Sequence, residues 1–429
     1  MRYLPIDHNL FTNNRSRLIS RLKPNSLLVM FSSEILPLSG DGVLPFRQDS
    51  NFFYLTGIDQ EDCILILAPD HPDEKLRELL FVKETNEQIA IWEGEKLSKQ
   101  EATAVSGIAE VHWSQSFENI FKSILPLIDR IYVDINEDSR AKRIINTGNE
   151  RFATRLQSEF PLFKTKRMAP TLTEMRMVKS EAEIELIKKA GEITKKGYDR
   201  VLKSLRPGVM EFELEAEFLA EFVGNRSRGF AYGPIIASGR NACVLHYEQN
   251  NSECKKGDLV LIDVAAEYAN YKSDVTRTFP VSGRFSERQR AVYQSVLKVK
   301  KEATNLLSPG ILIKEFNKEV GKLMESELIQ LGLLKKTDVD QQDQKKPLYK
   351  KYFMHGTSHH LGLDVHDVNN AYHKVEEGMV FTIEPGIYIR EEGLGIRLED
   401  DVKVTAGGNI NLTPDIPIEI EEIEDLMNS

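Results

Sequence analysis

Two short stretches of this 429-residue sequence run from a glycine through an apolar segment onto an acid: KKGDLVLID, which ends at Asp263, and EEGMVFTIE, which ends at Glu384. Strands that are apolar on both faces lie inside a fold, where an isolated carboxylate is costly. Each acid has a companion. Asp274 follows Asp263 by eleven residues with EYAN as a turn between them. A reversal around Tyr268 and Ala269 sets the two aspartates opposite one another, with Cβ atoms roughly 5 Å apart. Glu399 follows Glu384 by fifteen residues, and their midpoint falls between Glu391 and Glu392 in REEG. Four ionised carboxylates in one interior repel unless protons or cations intervene, and two divalent cations balance four negative charges.

Histidine adds to this set. Five of the nine lie between 355 and 373, in HGTSHHLGLDVHDVNNAYH. The spacing of His355 and His359 suits one helix face, but Gly356, Thr357 and Gly362 argue against a regular helix and no HExxH signature occurs. A loop or strand that aims single imidazoles is the expectation, with His360 and His373 as exposed bystanders. Oxygen ligands with one imidazole suit hard ions such as Mn²⁺, or Co²⁺, and the three cysteines Cys63, Cys243 and Cys254 lack zinc-type spacing. Water held by two such ions is acidified toward neutrality, so the chemistry implied is hydrolysis.

Residues 1 to about 167 must supply a separate body, because SLLVMF, CILILAP, ELLFVK and RIYVDI alternate with helix-like segments such as the one after Ser116, the pattern of an α/β domain. KRMAPTLTEMR, polar and carrying Pro170, reads as a break. After it, KSEAEIELIKKAGEITKKG opens with a capping box, Ser180 and Glu183, and sets Leu186, Ile187, Ala190 and Ile193 on one helical face. The domains expected are 1–170 and 171–429.

The second domain reads as a duplication. One helix runs into LRPGV and another, capped by Ser286 and Gln289, runs into LSPGI; each is followed by an acidic amphipathic helix and then by the glycine, apolar run and acid. Pro207 to Pro309 is 102 positions and Gly257 to Gly378 is 121, so the second copy carries about 19 more residues. KKTDVDQQDQKKP, at 335–347, is the place for most of them as a surface loop. Two related halves imply a site between them.

Bulk properties narrow the partners. A hydrophobic content of 41% can fill large cores, and a net charge of −10 without a long basic run argues against nucleic acid and against an anionic membrane. Small or peptidic substrates fit better. Scarce cysteine suggests a reducing compartment, the first residues lack a secretory signal, and no 18-residue apolar stretch occurs. A soluble cytoplasmic protein is expected.

In order and spacing, LIDVA, SDVTRTF, HGTSHHLGLDVHD, TIEPG and GIRLEDD resemble the metal-dependent peptidases of the pita-bread fold, most closely the Xaa-Pro aminopeptidases (aminopeptidase P), with prolidase next. PFRQDSNFFYLTG at 45–57 is similar to that family's N-terminal signature; on its residues alone it reads as a β-rich core segment bounded by Pro45 and Gly57. The likeness covers nearly the whole chain. It implies a creatinase-like α/β N-terminal domain and an α+β pita-bread catalytic domain with an internal pseudo-twofold repeat.

The resemblance also implies roles. Asp274 and Glu399 would bridge two divalent ions, Asp263 would complete one coordination sphere, and His359 with Glu384 the other; Mn²⁺ heads the candidates, with Co²⁺ or Zn²⁺ possible. A bridging hydroxide would attack the carbonyl of an Xaa-Pro bond at the N-terminus of a peptide, and Glu384 would carry a proton to the leaving nitrogen. His246 and His366 would donate hydrogen bonds to the substrate carbonyl or oxyanion, and His355 would line the proline pocket. Tyr388 and Arg397 would support the ligand strands or simply pack at strand ends, and Trp92 would reach a neighbouring subunit's site or pack in the core or on the surface. Relatives are commonly dimers or tetramers, so a homo-oligomer is expected. Two departures, His360 in place of a bulky aromatic and DVNN in place of a glycine-containing DVG, bear on fine specificity. Prolidase, which cleaves only dipeptides, and a non-catalytic peptide-binding module are the competing readings. Methionine aminopeptidase ordinarily lacks the N-terminal domain, and creatinase lacks the metals.

Overall fold

The computed structural model describes residues 2–138, 140 and 144–429. They form two compact units, Tyr3–Met175 and, together with Arg2, Arg176–Ser429.

The first unit is built on a six-stranded mixed sheet in the order Glu110–Trp113, Glu78–Val82, Ile64–Leu67, Ser26–Phe31, Arg130–Val133, Lys164–Arg167. The four apolar runs of the sequence are its inner strands, and the helix after Ser116 spans Phe117–Ile124. Phe117, Phe121 and Phe152 pack edge-on and stacked beneath the sheet at centroid distances of 5.5 to 6.2 Å. Lys164–Arg167 carries no apolar signal. It is exposed at all four positions, a charged edge that discourages pairing with another chain.

The segment 45–57 differs from expectation. It is not β-rich: Ser50–Thr56 is a helix, capped by Asp49, whose Oδ1 accepts the Phe52 N–H at 2.8 Å, and ended by Gly57 at φ +67°. Phe52, Phe53, Tyr54 and Leu55 are all buried, so no polar face betrays the helical period. A Cβ at Gly57 would collide with the Phe11 ring. The polar break around Pro170 is likewise helical, Ala169–Met177, with the proline in the first turn where its missing N–H is harmless.

The second unit repeats itself. Helices Glu181–Ser204 and Glu287–Leu306 each begin with a reciprocal capping box, Ser180 with Glu183 and Ser286 with Gln289. Each then turns through a left-handed glycine, Gly208 at φ +93° and Gly310 at φ +94°, into helices Glu211–Gly224 and Ile313–Gln330. The Gly208 N–H donates to the Cys254 carbonyl at 2.9 Å and the Gly310 N–H to that of Val375 at 2.8 Å, so equivalent turns are tied to equivalent places. The extra stretch 335–347 is mostly exposed but holds a short helix, Lys336–Asp340, rather than loop alone.

Strands Ile235–Ser238, Leu259–Asp263 and Thr276–Pro280 form one antiparallel sheet. Val380–Ile383, Asp400–Thr405 and Gly408–Asn411 form another, and Gly386–Ile389 pairs with Leu394–Arg397. Among the described residues no helix is long and apolar enough to cross a membrane.

Candidate metal centre

The apolar run Leu259–Ile262 is buried as a central strand and ends on Asp263. Asp263 faces Thr276 across the ladder, not Asp274. The cause is the turn: Tyr268 pairs with Tyr271, and Ala269 and Asn270 take positive φ of 52° and 67° between them. That tight reversal suits the twist of the flanking strands and is centred one residue later than the spacing suggests. Asp274 precedes the strand instead, its N–H donating to Asp401 Oδ1 at 3.1 Å. In the second half Ile383 faces Asp400 and Gly386 faces Arg397, which leaves Glu384 opposite Glu399.

The two halves converge. Ligand atoms of Asp274, His359 and Glu399 lie within 4.8 Å of one another. His359 Nε2 is 3.4 Å from Asp274 Oδ2 and 3.6 Å from Glu384 Oε1. Its Nδ1 donates to the His360 carbonyl at 3.0 Å, which fixes the tautomer and leaves Nε2 to offer a lone pair. Glu399 Oε2 accepts the Thr276 hydroxyl at 2.6 Å. Asp263 accepts from the Tyr232 hydroxyl at 2.7 Å and from Arg397 Nη2 at 2.5 Å, and Arg397 Nε donates in turn to Thr276 Oγ1 at 3.0 Å.

Burial, followed by repulsion from Asp274, Glu384 and Asp263, drives the Glu399 carboxyl well above the usual carboxylate range. Burial likewise pushes Glu384 up to about 7, against the pull of His359 and Arg397. Asp263 is raised by burial in spite of Arg397. Burial opposes charge on His359, but Asp274 and Glu384 outweigh it and hold the ring up to about 9. Such a cluster takes up protons when no cation joins it. Four carboxylates and one oriented imidazole nitrogen form an oxygen-rich, hard donor set, so the residues present fit divalent cations.

Residues 185–406 match metallopeptidase family M24. The chain belongs to that family. Residues 11–132 match the aminopeptidase P N-terminal domain. The sequence is 38% identical to the Xaa-Pro aminopeptidase of Haemophilus influenzae, over 97% of each chain. Among solved structures it is similar to aminopeptidase PepP of Pseudomonas aeruginosa (TM-score 0.90, 31% identity, 100% of this chain and 99% of that one). It is also similar to Escherichia coli aminopeptidase P with the inhibitor Pro-Leu (TM-score 0.86, 34% identity, 99% of each). This M24 member is a metallopeptidase, hence a hydrolase, with the aminopeptidase P arrangement of a mixed α/β N-terminal domain and a C-terminal pita-bread domain. The family's metal dependence and the grouping of Asp274, His359 and Glu399 together support divalent-metal binding.

Around the M24 site, Arg397, Tyr388 and His355 form a chain. Arg397 Nη1 donates to the Tyr388 hydroxyl at 2.9 Å, and that hydroxyl donates to His355 Nε2 at 2.8 Å. The other ring nitrogen, Nδ1, donates to the Gly356 carbonyl at 2.7 Å and lies 3.5 Å from Glu384 Oε2. Burial holds His355 down to about 3, so the ring is neutral. His366 stacks on His359 with centroids 3.9 Å apart and planes 10° from parallel. His246 is exposed on the turn after Gly239–Cys243.

Three placements complete the comparison with the sequence reading. His360 is buried against the Phe381 ring at 4.2 Å rather than exposed, because the bridge between His360 and Phe381 draws it onto the sheet. His373 bonds Glu376 at 2.8 Å. Trp92 lies in the first unit on helix Glu87–Glu93, 83% exposed. Sequence reasoning missed Tyr232, Thr276 and Asp401, which touch Asp263, Glu399 and Asp274 respectively.

Proposed function

We propose that this chain is an Xaa-Pro aminopeptidase: it releases the first residue of peptides whose second residue is proline. The observation that carries the reading is the gathering of Asp274, His359, Glu384 and Glu399 at one buried point, with Asp263 tied in through Arg397, in a chain that matches Xaa-Pro aminopeptidases along its length.

In this reading Asp263, Asp274, His359, Glu384 and Glu399 would hold two divalent ions. Mn²⁺ suits the donor set best. Bound cations supply Lewis acidity, polarising the scissile carbonyl and acidifying water. Glu384 accepts a proton on one carboxylate oxygen and passes it to the leaving proline nitrogen. His366, stacked on His359, and exposed His246 present ring N–H groups to the substrate carbonyl. Neutral His355, aimed by Tyr388, gives the proline ring a wall without adding charge.

Three buried free thiols suit a reducing compartment, and we place the protein in the cytoplasm. A homo-oligomer, dimer or tetramer, belongs to the same reading; the exposed neighbours Ile91 and Trp92, at 78% and 83%, offer one patch for it. Incubating Mn²⁺-loaded protein with Xaa-Pro-Yaa peptides should release free Xaa. Inactivity with Mn²⁺, Co²⁺ and Zn²⁺ alike would overturn the assignment.

A further inference from the structure

A cleft of about 270 Å³ opens in the second unit between helix Ile313–Gln330 and the segment 342–357. His355 and Thr357 are part of its lining. Both belong to the metal centre's surroundings: His355 lies against Glu384, and the Thr357 carbonyl accepts the Glu384 N–H at 2.9 Å. Asn317, on the helix, accepts the Thr357 N–H at 2.8 Å and fixes the cleft to the site.

The cleft is cationic on an acidic protein. Lys314, Lys318 and Lys322 recur every fourth residue along one stripe of the helix, and Lys350 faces them. Glu325 is the acid in this lining, and it is engaged by Gln342 Nε2 at 2.7 Å. Lys322 is held by Glu319 at 2.7 Å. Among the described residues no carboxylate lies within ion-pair distance of Lys314, Lys318 or Lys350. Lys350 instead bonds the His355 carbonyl at 3.2 Å and sits 5.4 Å from the Tyr349 ring centroid. Three unpaired cations focused in a concave wall, on a chain of net charge −10, attract anions.

We propose that this cleft receives carboxylates of the substrate downstream of proline, so that the peptidase favours Xaa-Pro peptides with aspartate or glutamate two to three residues beyond it. The proposal rests on the Xaa-Pro reading above, which puts the proline against His355. An extended chain advances ~3.3 Å per residue, so two or three residues beyond proline cover roughly 7 to 10 Å. The Tyr349 and Phe353 side chains and Pro347 give the cleft apolar surface against which a peptide backbone can lie, which a free inorganic anion would leave unused.

The test compares Ala-Pro-Gly-Glu-Glu amide with Ala-Pro-Gly-Gly-Gly amide on the full-length, metal-loaded protein, in wild type and in Lys314→Gln/Lys318→Gln, at low and high salt. The acidic peptide should show a KM several-fold lower, and the gap should close in the double variant and at high salt while turnover of the neutral peptide stays unchanged. By fluorescence anisotropy on metal-free protein, the double variant should bind a labelled acidic peptide about 5- to 10-fold more weakly, the sum of two exposed charge contacts. Equal KM values in wild type, or a preference that survives loss of both lysines, would overturn the proposal. So would inorganic phosphate that alters neutral-peptide turnover at matched ionic strength, since that marks an effector site. If neither peptide is cleaved, the Xaa-Pro reading fails and anisotropy alone decides the cleft.

Discussion

Asp401, buried two residues beyond Glu399, accepts the backbone N–H of Asp274 at 3.1 Å and the hydroxyl of Ser273 at 2.7 Å. An acid of the second half thereby sets where an acid of the first half can stand. Replacing Asp401 with alanine strands two buried donors, at about 1 to 3 kcal/mol each. The variant should melt several degrees lower. Its metal affinity, followed by calorimetry, should fall about 10- to 100-fold, the usual penalty for losing a group that orients a ligand. An Asp401→Ala protein with wild-type affinity would show that Asp274 is held by other means.

Tyr388→Phe removes a hydroxyl that Arg397 donates to and that donates to His355. The His355 ring loses the partner of Nε2 and keeps the Nδ1 hydrogen bond to the Gly356 carbonyl. We expect kcat to fall by about tenfold with little change in the fold, whereas Arg397→Lys, which cannot serve Asp263, Thr276 and Tyr388 from one planar group, should lose more. Steady-state kinetics with both variants tests the order.

Asp367, next in the chain to His366, gives a pH signature in stability. Burial alone would raise its carboxyl, but Lys179 at 3.0 Å and Arg176 at 2.6 Å overcome that and hold it at about 2. A group whose folded value lies below its unfolded one adds stability above the unfolded value and loses it as pH falls through the folded one. The contribution, roughly 2 kcal/mol, is therefore intact at neutral pH and disappears between about pH 4 and pH 2. Urea denaturation of wild type and Asp367→Asn across that range should show the two curves drawing together toward pH 2.

Metal removal should destabilise the protein. Cations bind the assembled site and not the unfolded chain, so a free concentration a hundred times Kd adds about 2.7 kcal/mol. A chelator should lower the melting temperature by several degrees, and Mn²⁺ should restore it. Because burial raises Glu399 well above the usual carboxylate range and Glu384 to about 7 in the metal-free cluster, binding near neutral pH should release protons, seen as a dependence of the calorimetric heat on buffer.

Much of this site could be read from the chain because the acids end apolar runs, and an apolar run that terminates in Asp263 or Glu384 is conspicuous. The pairing of Glu384 with Glu399 follows from counting to a midpoint in REEG. The same counting failed by one residue at Asp263, since nothing in EYAN announces that Ala269 and Asn270 both take left-handed φ; the usual Asn-Gly marker is missing. Tyr232, Thr276 and Asp401 were invisible for another reason. A hydroxyl or acid whose partner is 31, 123 or 127 positions away leaves no local pattern. In the first unit the strands were plain, whereas the helix Ser50–Thr56 was hidden by burial on every side.

Thr276 of the first copy steadies Glu399 of the second, and Asp401 of the second steadies Asp274 of the first. Neither copy alone can display a finished set of ligands, so turnover works as a logical conjunction that reports the integrity of both at once. Proteolytic nicking within the exposed stretch 335–347 should spare it for as long as the fragments stay associated. Separately expressed fragments would be silent until mixed.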